Sequence, residues 1–161
     1  MRARVLAAAA LALAAIAVGC GGGGDGGDGG GDRLTQEEFV EQADALCADA
    51  NQQIGALGEP QSIQELATFA AEAVSISEQT LDSLRELNPP EELQAQYDRA
   101  LELLSEQNAL GREVVEAAED GDTARIEELT AQAEPLEEEA DQIAVDLGLE
   151  TCGTEDETAT P

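Results

Sequence analysis

Hydrophobic residues recur at steps of three and four along four segments of the chain, between residues 35 and 147. This spacing places them on one face of a helix, so each segment is predicted to be an amphipathic α-helix. The predicted helices cover residues 35–57, 62–88, 90–119 and 122–147. Because the connections between them are short, we expect residues 34–152 to form an all-α, up-down-up-down four-helix bundle.

The ends of the predicted helices carry residues that typically start or stop a helix. Thr35 with Glu38, and Ser62 with Glu65, have the spacing of a capping box. The stop signals are Gly58-Glu59-Pro60, Pro89-Pro90, Gly121-Asp122 and Gly148. Pro135 lies inside the fourth segment, where it is expected to bend the helix because its ring removes one backbone hydrogen bond.

The first 19 residues have the pattern of an export signal. Arg2 and Arg4 precede an apolar run over residues 5–18, which is too short to span a bilayer comfortably and ends at Gly19 and Cys20. The segment resembles a bacterial lipoprotein signal peptide. That resemblance implies that Cys20 is lipidated and anchors the protein to the cell membrane on its extracytoplasmic side. The alternatives are a secretory signal with a chance cysteine, or a single transmembrane helix.

Two further segments are predicted to lie outside the bundle. Residues 20–33 begin with the cysteine and continue with nine glycines and three aspartates over residues 21–32, a composition that predicts a flexible linker. Residues 153–161 are polar and acidic, and we expect them to form a disordered tail.

Cys47 and Cys152 are predicted to form a disulfide bond. They remain as a pair once Cys20 carries lipid, and an extracytoplasmic compartment permits their oxidation. The residues after Gly148 are numerous enough to reach back to the first helix. A redox or nucleophilic thiol would need a Cys-x-x-Cys motif or a histidine, and the sequence has neither. Residues 43–47 and 147–153 resemble those of small helical lipoproteins of actinobacteria, which supports the pairing and implies no activity.

The charge of the chain excludes several functions. Seven basic and 36 acidic residues give a formal net charge of −29, which would repel nucleic acid. The chain has no histidine, and all of its basic residues are arginine, so a Ser-His-Asp triad and a Schiff base are excluded. We therefore expect no enzyme, no cofactor and no metal site, and interpret the acidic side chains as a solvated surface.

The hydrophobic faces of the second and third segments are wider than the other two. Phe69 and Ile76 widen the second, and Leu103 and Leu110 widen the third, with a spacing of seven residues in each pair. One interpretation is an exposed face for self-association or for a protein partner. The other is that these two helices pack more centrally in the bundle.

Three polar residues, Ser77, Tyr97 and Asn108, fall on the predicted apolar faces, where Gly111 leaves extra room. A mutually hydrogen-bonded cluster with close helix approach would explain them, as would a small ligand cavity. The sequence thus favours an envelope lipoprotein that acts as a non-enzymatic protein-interaction module. The alternative is a module that binds a small molecule or a divalent cation.

Overall fold

A computed structural model describes residues 33–152, which form four α-helices and no strand within that range. The helices are α1 (Gln36–Ala56), α2 (Ile63–Arg85), α3 (Gln94–Asp120) and α4 (Thr123–Leu147). The predicted up-down-up-down bundle is confirmed. The predicted signal peptide, the predicted lipidation site Cys20, most of the predicted linker and the predicted tail lie outside the described residues. None of the four helices combines the length and hydrophobicity that a membrane span requires.

Side-chain caps fix where three of the helices begin. Thr35 and Glu38 form the predicted capping box, with the Thr35 backbone N–H donating to the Glu38 carboxylate over 3.0 Å. Ser62 accepts the Glu65 N–H, but the Glu65 carboxylate accepts the N–H of Gln61, so only half of the second predicted box forms. The side chain of Asp122 caps α4. These bonds satisfy N–H groups that have no partner inside a helix.

Two glycines end the last two helices as predicted. Gly121 and Gly148 have φ angles of 72° and 82°, a left-handed conformation that is strained for residues with a Cβ atom. Pro135 lies inside α4, and the helix continues through it.

The structure corrects the predicted boundary between the second and third helices. The helix α2 ends at Arg85 rather than at residue 88, and α3 begins at Gln94 rather than at Pro90. The backbone between them forms tight turns instead, such as the one in which the Leu93 N–H donates to the Pro90 carbonyl over 3.0 Å. Pro89 and Pro90 have no backbone N–H to donate to a helix. Both rings are buried, so this segment is held by packing instead of by α-helical hydrogen bonds.

The helix α3 packs extensively against both α2 and α4, whereas α1 packs against α2. All four helices meet at one end of the bundle, in a core that also includes Leu149 from the C-terminal segment (residues 148–152). The buried residues of this core are Phe39, Ala43, Leu84, Tyr97, Ala144, Leu147 and Leu149. The N-terminal residues are fixed to the same end, because Arg33 donates to the Pro89 carbonyl and the Leu34 N–H donates to the Asn88 carbonyl.

Central packing of α3 overturns one residue of the predicted interaction face. Leu103 is fully buried, so it is not available to a partner. The wide hydrophobic face of α3 is covered because α3 packs against α2 on one side and α4 on the other. Phe69, Ile76 and Leu110 are half-buried. The interpretation that the wider faces reflect central packing is therefore correct for α3.

Candidate functional site

A cavity of about 190 Å³ lies inside the bundle, and all four helices contribute to its wall. Its lining residues are Cys47, Ala50, Asn51 and Ile54 of α1, Ser77, Thr80 and Leu84 of α2, Tyr97, Ala100, Leu101, Leu104 and Gln107 of α3, Ala140 and Ala144 of α4, and Leu149 and Cys152. Asn51 lines the cavity and is itself exposed, so the cavity reaches solvent beside this residue.

Small side chains create this space. Four of the lining residues are alanines, and they come from α1, α3 and α4. Larger residues at these positions would fill the interior, as they do in most closely packed proteins. The spacing of α2 and α3 is set just beyond the cavity, where a Cβ atom on Gly111 would lie only 2.6 Å from Cγ2 of Val74. The predicted close approach at Gly111 is thus confirmed.

The lining carries no charge within residues 33–152, although the chain as a whole has 36 acidic side chains. Its polar groups are hydroxyls and amides. The Thr80 hydroxyl donates to the Ile76 carbonyl over 3.0 Å, and the Asn51 amide donates to the Thr151 carbonyl over 3.5 Å. Ser77 and Gln107 line the cavity with no side-chain hydrogen bond to any residue that the structure describes. These two groups are free to bind a ligand.

Tyr97 forms part of the cavity wall and is fixed in place. Its ring meets that of Phe39 edge to face, with 4.9 Å between the ring centroids. Its hydroxyl donates to the Leu84 carbonyl over 2.6 Å. Burial raises the pKa of Tyr97 well above its ordinary value, because the charged phenolate would lose its hydration. Tyr97 therefore contributes a neutral, rigid surface to the cavity.

The disulfide bond forms part of the cavity wall. Cys47 of α1 and Cys152 are bonded with a Cα–Cα distance of 5.1 Å, as predicted. The C-terminal segment is also held by Asp44, whose carboxylate accepts the backbone N–H groups of Glu150 and Thr151. Covalent and hydrogen bonds together fix this part of the wall to α1.

Asn108 lies beside Gln107 on α3 and is 5% exposed. Its side-chain nitrogen has no hydrogen-bond partner among the described residues. The predicted polar cluster of Ser77, Tyr97 and Asn108 therefore does not form, since Tyr97 donates to Leu84 and Ser77 is without a partner. A buried, unpaired amide costs about 1–3 kcal/mol of stability.

The surface offers weaker candidates. Among the large hydrophobic residues that the structure describes, Val145 is the exposed one, with 65% of its area accessible. A single exposed side chain does not form a hydrophobic patch. Several acidic residues are paired with arginine, as in the Arg99–Glu139 bridge of 2.8 Å between α3 and α4. That contact lowers the pKa of Glu139. Across residues 33–152, no group of three His, Cys, Asp or Glu residues is arranged to hold a metal ion.

The sequence singled out Ser77 and Tyr97 but missed Gln107 and Asn51, which are polar residues at the borders of the apolar faces. No signal in the sequence showed that several alanines from different helices would face one another. No protein-family model, curated protein or solved structure matches the chain. The chemistry of the cavity is therefore inferred from its own residues.

Proposed function

We propose that this chain is an exported, membrane-anchored binding protein of the cell envelope, whose bundle holds a small molecule in the cavity between its four helices. The cavity is the observation that carries the proposal. Protein interiors are close-packed, and a void deprives its lining of van der Waals contacts. A ligand of matching size restores those contacts and stabilises the folded state by mass action.

The proposed location rests on the N-terminal sequence. Arg2, Arg4 and the apolar run before Cys20 resemble a lipoprotein signal, and residues 21–32 supply a polar, glycine-rich spacer. The Cys47–Cys152 bond is in keeping with this location, because disulfides persist in oxidising compartments outside the cytoplasm.

The structure favours a small ligand over a protein partner. Burial of Leu103 removes one of the four residues of the proposed interaction face, and Phe69, Ile76 and Leu110 are partly covered. The cavity, in contrast, is partly enclosed and mostly apolar, as small-molecule sites usually are.

We expect binding without chemical conversion of the ligand. The lining consists of aliphatic groups, hydroxyls, amides and a disulfide, together with the phenol of Tyr97. The Tyr97 hydroxyl is engaged with Leu84, and its raised pKa keeps it protonated. General acid–base catalysis needs a group that titrates near the working pH.

The proposal is tested with toluene, a probe of suitable size. The full chain with Cys20→Ser, which cannot carry lipid on that residue, is purified, and its thermal midpoint is measured at increasing toluene concentrations. We expect a saturable rise. Ala50→Leu should abolish it, because Ala50 is 7% exposed and lines the cavity.

Ala45→Leu is the matched control, since Ala45 lies on the same helix but is exposed. This variant should respond to toluene like the parent protein. Equal responses from both leucine variants, or no response from the parent, would contradict a binding cavity at this place. Circular dichroism establishes that each variant is helical before it is compared.

A further inference from the structure

The cavity also indicates the class of molecule that it binds, an inference that rests on the proposed function. Its volume of about 190 Å³ slightly exceeds the roughly 150 Å³ of an engineered apolar cavity that takes up benzene. One aromatic ring with a small substituent, or an aliphatic group of similar bulk, therefore fills it. The acyl chains of a whole lipid are too large.

The charge distribution excludes an ionised ligand. No charged side chain within residues 33–152 lines the cavity, so a carboxylate or ammonium group would be buried without a counter-ion. Anions are disfavoured again outside, because the net charge of −29 repels them as they approach. Cations are attracted to the surface but lose their hydration inside with no carboxylate to replace it.

Ser77 and Gln107, the two polar side chains of the lining without a hydrogen-bond partner in residues 33–152, lie at one end of the cavity. Since α2 and α3 are antiparallel and Val74 meets Gly111, Ser77 lies level with residue 108 and hence beside Gln107. The opposite end is formed by Tyr97 and the disulfide, where the polar atoms of Tyr97 are already engaged. A bound molecule thus meets an apolar end and an end with two free hydrogen-bonding groups.

We infer that the ligand is an uncharged molecule with an apolar body of about one ring and a single hydroxyl or carbonyl group. Its apolar body lies toward the Cys47–Cys152 bond, and its polar group hydrogen-bonds with Ser77 and Gln107. The Ser77 hydroxyl can donate or accept, and the Gln107 amide provides both a donor and an acceptor, so either a hydroxyl or a carbonyl is accommodated.

Three probes with the same methyl-substituted ring separate the possibilities: toluene, p-cresol and 4-methylbenzoate. Binding to the Cys20→Ser protein is followed by calorimetric titration. We expect p-cresol to bind about three- to tenfold more tightly than toluene, which corresponds to one net hydrogen bond. The benzoate should bind at least about a hundredfold more weakly than p-cresol, because its charge is unpaired in the cavity.

Variants locate the polar contact. Ser77→Ala and Gln107→Met should each weaken p-cresol binding more than toluene binding, and so reduce the advantage of p-cresol over toluene. Thr80→Val is the matched control, because the Thr80 hydroxyl lines the same cavity but already donates to Ile76. This control should keep the full advantage of p-cresol.

These experiments distinguish an error in the inferred ligand class from an error in the proposed binding cavity. Toluene binding with no preference for p-cresol, or a preference that survives both Ser77→Ala and Gln107→Met, would overturn the inferred polar contact while leaving the binding cavity in place. Tight binding of 4-methylbenzoate would overturn the uncharged class. Failure of all three probes would overturn the proposed function and this inference together.

Discussion

Gly111 of α3 and Val74 of α2 stand so close that a Cβ atom on the glycine would lie 2.6 Å from Cγ2 of the valine. A separation this short forces either the valine side chain or a helix to move. The absence of a side chain at Gly111 therefore sets the distance between the two helices next to the cavity.

Gly111→Ala is expected to destabilise the protein by about 1–3 kcal/mol, the usual effect of overpacking. Adding Val74→Ala should recover part of that loss, because it removes the methyl group that clashes. Urea unfolding of the single and double variants measures the effect. As a control, Gly55→Ala in α1 should be neutral or stabilise the protein by up to about 1 kcal/mol, since nothing lies within 4 Å of its Cβ position. A Gly111→Ala protein as stable as Gly55→Ala would show that α2 and α3 separate freely.

Removal of the Cys47–Cys152 bond is expected to reduce the free energy of unfolding by about 3–5 kcal/mol, because the bond closes a loop with a sequence separation of 105 residues. The comparison is made by urea unfolding of the Cys20→Ser protein with and without Cys47→Ala and Cys152→Ala. Toluene affinity should fall as well, since both cysteines line the cavity. A loss below about 1 kcal/mol would mean that the unfolded chain is already restricted without the bond.

Alkaline pH should destabilise the protein through Tyr97, the one tyrosine in the chain. Burial raises the pKa of Tyr97 in the folded state, so above its ordinary value of 10.0 the unfolded state releases a proton that the folded state retains. Stability contributed by the neutral phenol is complete below pH 10 and is lost as the pH rises further. Absorbance at the tyrosinate band should therefore appear together with the loss of helical circular dichroism. Ionisation that precedes the loss of helicity would contradict this coupling.

Acidic pH should weaken the first capping box. Hydrogen bonds from the backbone and side chain of Thr35 lower the pKa of Glu38 in the folded state below its ordinary value of 4.5. The bonded carboxylate therefore stabilises α1 above the unfolded pKa, and this contribution is lost as the pH falls through the folded pKa.

Glu38→Gln should accordingly be less stable than the parent protein at pH 7, with the difference shrinking toward pH 3. Glu37→Gln removes a charge from the same helical turn and serves as the control. An equal, pH-dependent loss in both variants would assign the effect to the helix dipole instead of the cap.

Periodicity predicted the four helices and several of their capping residues because these features depend on local sequence. It predicted which face of α3 is apolar, but it did not identify the neighbours that cover this face, so Leu103 was wrongly placed on an interaction surface. The start of α3 was predicted at Pro90 instead of Gln94, because the burial of Pro89 and Pro90 depends on tertiary packing that local sequence does not reveal. The disulfide was predictable because the expected export and the expected lipidation of Cys20 left Cys47 and Cys152 as the remaining pair, and helix lengths made the bond reachable.

The cavity was not predictable from periodicity, for a related reason. Alanine is compatible with a tight helix contact and equally with an empty space, and the difference depends on what faces it from another helix. Ala50 and Ala144 come from helices that are distant in sequence, and both line the cavity. Their relative position is determined by the complete bundle.

The bond between Cys47 and Cys152 makes the intervening chain a covalent ring that contains all of α2, α3 and α4. A protease that cuts once between the two cysteines, for example in the connection after α1 or in the one before α3, releases no fragment. The nicked protein keeps its mass, apart from one added water, until a reductant separates the two pieces. In the proposed extracytoplasmic location, where proteases are present, the ring would confer a tolerance of single cuts that is independent of how strongly the helices pack.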